Sequence, residues 1–280
     1  MPDTGGKQRT RPRGLSLDGA TFVVTGASRG IGRAVAVRAA RRGARVGLIA
    51  RSGPDLEKVR DEIGGSGSTA NAAARATACA AADVGDREQV ISAIRALEGE
   101  LGPTDVLVAN AGIGAYGPFA DIPVEEVERL VRINLLGTVY PLKAVLPGMI
   151  ERGRGHLVVV SSVAGRFGSP FEAAYAATKF AQTGMAEAMA VELEGRGVGV
   201  SIVNPGVVDT DFFEARGHAY DRPFPRPIPA DRVAEAVVRA VESGQREVFV
   251  PRWFKYALAV RHLSPAVYAR GTRRSFKDQL

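Results

Sequence analysis

The segment that decides the fold begins Ala20-Thr21-Phe22-Val23-Val24 and continues Thr25-Gly26-Ala27-Ser28-Arg29-Gly30-Ile31-Gly32. Its first part is short, apolar and β-branched, which predicts a buried strand. The residues that follow, Arg33-Ala-Val-Ala-Val-Arg-Ala-Ala, form a good helical run. A strand, a glycine-rich turn and a helix in this order are the context that a dinucleotide-binding fingerprint requires.

The three glycines of this turn have different tasks in such a fingerprint. Gly26 allows the tight turn, Gly30 the approach of a diphosphate, and Gly32 the close packing of helix on strand. The helix N-terminus offers unpaired N–H groups and a partial positive charge to the phosphate. Further predicted cofactor contacts in this turn are Thr25, Ser28, Arg29 and Ile31.

Apolar runs alternate with helical patterns along the whole chain. Strands are predicted at 21–25, 45–50, 76–82, 105–109, 156–161, 199–203 and 247–250. This alternation indicates βαβ crossovers and a parallel sheet that is covered on both faces. The chain has 280 residues and is 45% hydrophobic, so one large domain is expected, at 20–250. The predicted fold is Rossmann-like: doubly wound α/β with about seven parallel strands and helices on both faces.

A second group of residues predicts chemistry at a carbonyl. Tyr175 and Lys179 lie four residues apart and so share one face of a helix. A free tyrosine has a pKa of about 10, and a cation beside it favours the phenolate and lowers that pKa. Ser162 follows the apolar run 157–160, where a strand would end. Together the three side chains can move a proton on and off a carbonyl oxygen.

The predicted strands bring these groups to one edge of the sheet. In doubly wound sheets, ligands bind beyond the strand carboxyl ends, where the strand order reverses. Gly26, Asn110, Ser162 and Pro205 each follow a predicted strand, so they are expected to converge there.

These motifs make the chain resemble the short-chain dehydrogenase/reductase family, in its main single-domain branch, from about Leu17 to Val250. The Gly-x-x-x-Gly-x-Gly spacing is the variant of that family, and the other motifs follow in its order. The resemblance implies a catalytic tetrad of Asn134, Ser162, Tyr175 and Lys179. It also implies that Asn134 holds a water that links Lys179 to solvent, and that Lys179 contacts the nicotinamide ribose. The chain departs from the family pattern at Ala109, where a second asparagine is usual.

Further cofactor contacts are implied by the resemblance at three loops. Asp83-Val84 would contact the adenine. Asn110-Ala111-Gly112 would steady the central sheet and lie along the cofactor. The segment Pro205-Gly206-Val-Val208-Asp-Thr210 would close over the nicotinamide, with Thr210 as the carboxamide contact.

Charge at the end of the second strand indicates which cofactor is used. An NAD enzyme normally places a carboxylate there for the ribose 2′-hydroxyl. This chain has Ala50 followed by Arg51, and Arg29 lies in the glycine turn. Because two guanidinium groups can bind the 2′-phosphate through charge-assisted bonds, NADP(H) is the predicted cofactor.

The predicted function is NADP(H)-dependent hydride transfer between a carbonyl and an alcohol, with Tyr175 as general acid/base. The alternative is a scaffold or sensor that binds NADP(H) without catalysis. The segments 113–119, 163–171 and 209–229 are expected to line the substrate pocket. Their aromatic residues predict an apolar or ring-containing substrate, although the same rings fit a hydrophobic core: Tyr116, Phe119, Phe167, Phe171, Phe212, Phe213, Tyr220 and Phe224.

The two ends of the chain have a different composition. Residues 1–19 are basic and rich in Gly and Pro, which predicts a disordered tail. Residues 251–280 carry seven Lys or Arg and one Asp among aromatic and aliphatic residues. This extension is predicted to be amphipathic. It would pack over the substrate entrance or a partner subunit, or alternatively contact anionic lipid.

Composition limits the remaining functions. The pI of about 9.8 suggests nucleic-acid binding, but residues 21–250 carry a net charge of −1, so no basic groove is expected. Three scattered histidines predict no metal site, and no apolar run predicts a membrane span. The single cysteine, Cys79, and the lack of an apolar leader fit a reducing cytoplasm. The family resemblance implies a homodimer or homotetramer.

Overall fold

This computed structural model describes residues 14–65 and 76–276. The strands in this part of the chain are β1 (Thr21–Thr25), β2 (Arg45–Ala50), β3 (Thr77–Ala81), β4 (Val106–Ala109), β5 (Gly155–Val160), β6 (Val198–Pro205), β7 (Val208–Asp209), β8 (Ile228–Pro229) and β9 (Glu247–Val250). All except the short pair β7 and β8 form one parallel sheet, in the order β3-β2-β1-β4-β5-β6-β9. The predicted Rossmann-like fold is confirmed, and its seven predicted strands are the seven of this sheet.

The helices are α1 (Gly30–Arg41), α2 (Gly53–Gly65), α3 (Arg87–Leu101), α4 (Val124–Leu130), α5 (Gly137–Glu151), α6 (Ala173–Glu192), α7 (Phe212–Ala215), α8 (Ala230–Ser243), α9 (Phe254–Leu263) and α10 (Pro265–Ser275). A π-helical segment, Val131–Leu136, joins α4 to α5. Asp86 caps the N-terminus of α3 by accepting from two backbone N–H groups, and Gly244 ends α8 in a left-handed conformation.

Two hydrophobic layers hold the helices on the sheet. One face packs against α1, α2 and α8, and the other against α3, α5 and α6. The strands β1, β4, β5 and β6 are buried along their whole length, as parallel strands covered on both faces must be. The strand order reverses between β1 and β4, so a crevice is expected at their carboxyl ends.

The predicted disordered tail is wrong for residues 14–19. Leu17 is 2% exposed, and Leu15 is also buried in the core. The backbone N–H of Leu15 donates to the carbonyl of Val241 at 3.0 Å, which ties this segment to the end of α8. These two apolar side chains cover the edge of the core. Their burial stabilises the segment although the residues around them are polar. The rest of the predicted tail, residues 1–13, lies outside the described residues.

One helical stretch, Val124–Glu151, is long and apolar enough to cross a membrane by length and composition alone. A core helix of a soluble protein meets the same criteria. In this fold the stretch comprises α4, the π-helical segment and α5, and α5 packs on α3, β4 and β5. We therefore assign α5 to the domain core.

The C-terminal extension is helical and packs on the domain. Phe254 lies with Phe167 and Phe249 in a small apolar cluster. A Cβ placed on Gly206 would lie 2.5 Å from the Phe254 ring, so α9 begins directly against the segment after β6. The start of α9 therefore lies at the carboxyl end of β6, while packing over the substrate entrance or a partner subunit stays a prediction. Residues 277–280 lie outside the described part.

Candidate active site

The glycine turn between β1 and α1 has the geometry that the fingerprint requires. Gly26 and Gly30 adopt φ angles of 66° and 54°, in the left-handed region that favours glycine. A Cβ on Gly32 would lie 2.1 Å from the carbonyl oxygen of Gly26. Helix α1 has no side-chain cap and no acidic residue in its first turn, so its N-terminal N–H groups suit a phosphate. These features fit a bound dinucleotide.

Replacing Gly32 by alanine is expected to destabilise the protein by about 3 kcal/mol or more, because the added methyl group meets backbone atoms that cannot move aside. Urea unfolding measures this difference. Gly99→Ala in α3 is the matched control, since nothing lies within 4 Å of its Cβ position. That change is expected to stabilise the helix by at most about 1 kcal/mol. Wild-type stability in Gly32→Ala would contradict the close approach of α1 to the turn.

The segment after β4 is fixed to this turn by hydrogen bonds. The backbone N–H groups of Asn110 and Ala111 donate to Thr25 Oγ1 at 3.0 and 3.2 Å. Asn110 Nδ2 donates to the carbonyl of Thr25 at 3.0 Å. The two strands on either side of the order reversal are therefore tied together through Asn110, the residue to which the family resemblance assigns this role.

The other predicted cofactor residues border the same edge. Thr210 lies against Gly30, whose Cβ position is 3.2 Å from the Thr210 methyl group. Arg29 is 64% exposed and pairs with Asp211 at 3.6 Å. Arg51 is exposed at the end of β2.

Asp83 and five further predicted cofactor residues are less exposed. Asp83 accepts from the N–H of Gly85 at 2.8 Å in the loop after β3. The residues whose side chains are buried or partly buried are Ser28, Ile31, Val84, Pro205 and Val208.

The structure brings the four predicted catalytic residues together. Ser162 follows β5, and its hydroxyl accepts from the N–H of Ala164 at 3.1 Å and donates to the carbonyl of Pro205 at 3.5 Å. Tyr175 lies in the first turn of α6, and the Lys179 ammonium lies 5.8 Å from the centre of its ring. A Cβ on Gly112 would lie 3.3 Å from Asn134 Oδ1 and 3.6 Å from Lys179 Nζ, which places these residues side by side.

Asn134 is fully buried in the π-helical segment between α4 and α5. Its Oδ1 accepts from the N–H of Ile113 at 2.8 Å, and its Nδ2 donates to the carbonyl of Ile113 and to Thr178 Oγ1, both at 3.0 Å. Gln182, which the sequence analysis missed, donates to the carbonyl of Asn134 at 2.7 Å. Its spacing from Tyr175 and Lys179, on the same face of α6, was the available signal.

Burial has the largest effect on the pKa of Tyr175. It raises the pKa of the phenol above its ordinary value of 10, and the charge of Glu172 acts in the same direction. The hydrogen bond with Ser162 and the charge of Arg216 oppose the rise. Without cofactor, the phenol therefore stays protonated at neutral pH, which is the form that can donate a proton.

The expectation that Lys179 draws this pKa toward neutrality is wrong for the protein without cofactor. Lys179 is itself buried, and its ammonium donates to the carbonyl of Val160 at 3.1 Å. Burial lowers the pKa of Lys179 from 10.5 to about 7. A half-neutral amine at neutral pH cannot stabilise the phenolate as a full cation would.

Five of the eight aromatic residues expected at the pocket form one connected group near Tyr175: Tyr116, Phe171, Phe212, Phe213 and Tyr220. The ring of Phe212 lies 5.6 Å from that of Tyr175. Phe119 and Phe224 are instead exposed, and Phe167 belongs to the cluster beneath α9.

Arg216 is a buried charge that the sequence did not predict. Its side chain is 4% exposed and forms an ion pair with Glu172. Its guanidinium also lies 4.6 Å from the ring centres of both Tyr116 and Phe213. Nothing in the local sequence distinguishes this arginine from the solvated ones, since only the folded loop encloses it.

The family model described as short chain dehydrogenase matches residues 20–221. The chain therefore belongs to the short-chain dehydrogenase family, a family of oxidoreductases.

Three curated relatives show how far the similarity extends. An uncharacterized oxidoreductase of Myxococcus xanthus is 37% identical over 231 residues, which is 82% of this chain and 87% of that protein. The 3-ketodihydrosphingosine reductase of Bos taurus is 39% identical over 72% of this chain and 60% of its own length. Glycine betaine reductase ATRR of Emericella nidulans is 41% identical over 71% of this chain. The chain spans only 15% of that third protein.

Two solved structures share the fold. A metagenomic short-chain oxidoreductase in complex with NADP is 34% identical, with a TM-score of 0.70 over 84% of this chain and 98% of its own. A 3-oxoacyl-[acyl-carrier protein] reductase of Brucella melitensis with bound NAD is 30% identical, with a TM-score of 0.73 over 89% and 96% of the two chains. The similar structures thus include both cofactors.

Proposed function

We propose that this protein is an NADP(H)-dependent oxidoreductase that interconverts a carbonyl and an alcohol. The observation that most supports the proposal is the group formed by the buried Tyr175 and Lys179 and the partly buried Ser162 at the sheet edge that carries the glycine turn. When bound, the nicotinamide supplies or accepts the hydride. All the remaining acid–base chemistry belongs to the side chains of this group.

In the reducing direction, Tyr175 donates its proton to the carbonyl oxygen. Ser162 donates a hydrogen bond to the same oxygen and fixes its position, in the manner of an oxyanion site. Lys179, in its protonated form, stabilises the phenolate that remains. Asn134 makes its side-chain bonds with Ile113 and Thr178, so we propose that it holds the segment after β4 beside Lys179. The water that the family resemblance assigns to Asn134 stays a prediction.

The preference for NADP(H) rests on charge. Arg51 is exposed at the end of β2, and Arg29 is exposed in the glycine turn. No carboxylate stands at position 50 or 51 to repel a 2′-phosphate. The similar structure that is in complex with NADP supports this choice.

The substrate is proposed to be an apolar or ring-containing carbonyl compound. The aromatic group around Tyr175 supplies apolar walls. Arg216 and Glu172 neutralise each other within those walls, so the pair adds no net charge. The name of the bovine relative, a 3-ketodihydrosphingosine reductase, is in keeping with a long-chain ketone.

The purified protein is expected to oxidise NADPH with apolar ketones and to use NADH at least about tenfold less efficiently. Arg51→Asp should reverse or erase this preference, because it restores the carboxylate that an NAD site carries. Arg95→Asp, at an exposed position on α3, is the matched control. Equal rates with both cofactors and no effect of Arg51→Asp would contradict the cofactor assignment. Turnover only of small charged keto acids would contradict the apolar pocket.

The alternative is a scaffold or sensor that binds NADP(H) without catalysis. Tight NADPH binding with no turnover across a diverse ketone and aldehyde panel would favour it.

We further propose a homodimer or homotetramer in a reducing cytoplasm. Exposed apolar residues on the helices that carry Asn134 and Tyr175 support assembly there: Val124, Val131, Phe180 and Val191.

A further inference from the structure

The C-terminal part of the chain exposes an apolar surface that the fold does not cover. We call it the C-terminal face, and its members are 38–86% exposed: Phe224, Trp253, Tyr256, Val260, Leu263 and Val267. Contiguous apolar surface of this kind marks an interaction site in soluble proteins.

Helix α9 is apolar on two opposite sides. One side packs on the domain through Phe254, Ala257 and Leu258. The other side belongs to the C-terminal face, whose members from position 253 to 263 are spaced three or four residues apart and so project together. The second apolar side is therefore not needed for folding onto the domain.

The face continues into the loop beside the active site. Phe224 stacks on Trp253 with ring centres 5.4 Å apart. Tyr220 donates to the carbonyl of Pro225 at 2.8 Å, and Arg222 lies 3.6 Å from the ring centre of Phe276 at the end of α10. The surface thus joins α9 and α10 to the loop that borders Tyr175.

Positively charged residues border the C-terminal face, and the sequence around it contains few carboxylates. Between Glu247 and Asp278 the sequence contains no acidic residue. The cations in the described part of this stretch are Arg252, Lys255, Arg261, Arg270, Arg273 and Arg274. Asp221 is the one carboxylate in the adjoining loop, 219–229. Residues 21–250 carry a net charge of −1, so the positive charge is a property of this end of the molecule.

We propose that the C-terminal face docks on an anionic lipid bilayer. Tryptophan and tyrosine favour the membrane interface, where one end of the side chain is apolar and the other is hydrated. Flanking Lys and Arg attract anionic headgroups. A second copy of the chain fits this face less well, because pairing two such faces would bring cations against cations. The proposal does not depend on the proposed oxidoreductase function.

Trp253 is the single tryptophan of the chain, so its fluorescence reports on this face alone. Phosphatidylcholine vesicles that contain phosphatidylserine are expected to shift its emission to shorter wavelength. Lipids brominated on the acyl chain should then quench it. The full-length protein should sediment with these vesicles, and added salt should weaken the binding, since screening reduces attraction between exposed charges.

Two double variants separate the apolar from the charged contribution. Leu263→Ser/Val267→Ser should lower the vesicle partition coefficient about tenfold or more, because two exposed apolar side chains are lost. Arg270→Glu/Arg274→Glu should lower binding only to vesicles with phosphatidylserine. The matched control is Arg95→Glu, at an exposed position on α3, and it should not change binding. Circular dichroism and thermal unfolding show whether each variant is folded.

Three outcomes would overturn the proposal. The first is no binding to vesicles that contain phosphatidylserine. The second is binding with unchanged Trp253 emission, which would place the contact elsewhere. The third is a Leu263→Ser/Val267→Ser variant that keeps its vesicle binding but loses oligomeric mass in light scattering, which would identify the face as a subunit interface.

Discussion

Tyr175→Phe is expected to lower kcat at least about a thousandfold, since it removes the general acid at the reacting carbonyl. The ring of Tyr175 is 8% exposed and packs 5.6 Å from that of Phe212. Phenylalanine keeps this packing and loses only the hydroxyl. The fold and the glycine turn should therefore be unaffected, and NADPH should bind within about twofold of its wild-type affinity.

Steady-state rates of NADPH oxidation and equilibrium titration of NADPH fluorescence separate the two effects. Tyr140→Phe is the matched control, because that residue lies on α5 and packs against the core layer of α3, α5 and α6, outside the cluster that contains Tyr175. It should leave both the rate and the affinity unchanged. A Tyr175→Phe enzyme with near-normal kcat would exclude Tyr175 as the proton donor. A variant that also loses NADPH would instead give the hydroxyl a role in holding the cofactor.

The sheet was predictable from the sequence because its signals are local. Each buried parallel strand is an apolar run, and the turn after β1 needs glycine at positions where the chain reverses or approaches another backbone. The position of Asn110 beside Thr25 also followed, since parallel strands end at the same edge. Ser162 follows the end of a predicted strand and was placed at this edge in the same way. Tyr175 and Lys179 were placed on one face of a helix because they lie four residues apart.

What the sequence could not predict depends on contacts between distant segments. Leu15 and Leu17 are buried because α8 lies beside them, and no pattern within residues 1–19 shows this. Arg216 is enclosed because a loop folds its guanidinium against Glu172. Phe167 lies under α9 and not in the aromatic group near Tyr175, for the same reason.

The protonation of the site was the largest error of this kind. Helical spacing placed Lys179 beside Tyr175 but gave no measure of burial. In the structure both side chains are buried, and burial disfavours the charged form of each. The pKa of Tyr175 therefore rises, and that of Lys179 falls to about 7.

Lys179→Met is expected to raise the stability of the cofactor-free protein at low pH. The pKa of Lys179 is about 7 when folded and 10.5 when unfolded, so between these values the unfolded state binds more protons. Wild-type stability should therefore rise with pH across this window. The cost of the buried ammonium is fully present below pH 7 and disappears above pH 10.5. The methionine variant lacks this dependence, and its advantage should reach at most about 5 kcal/mol at pH 7.

The same substitution should lower kcat at least about a hundredfold, because the phenolate of Tyr175 then forms without a cation beside it. Urea unfolding at several pH values and steady-state kinetics measure the two effects on one variant. Lys143→Met, at an exposed position on α5, is the matched control and should change neither. Greater stability together with lost activity is the signature of a residue kept for chemistry at the expense of the fold. If Lys179→Met were less stable than the wild type below pH 7, the lysine would be serving the fold, and its assignment to proton transfer would lose its physical basis.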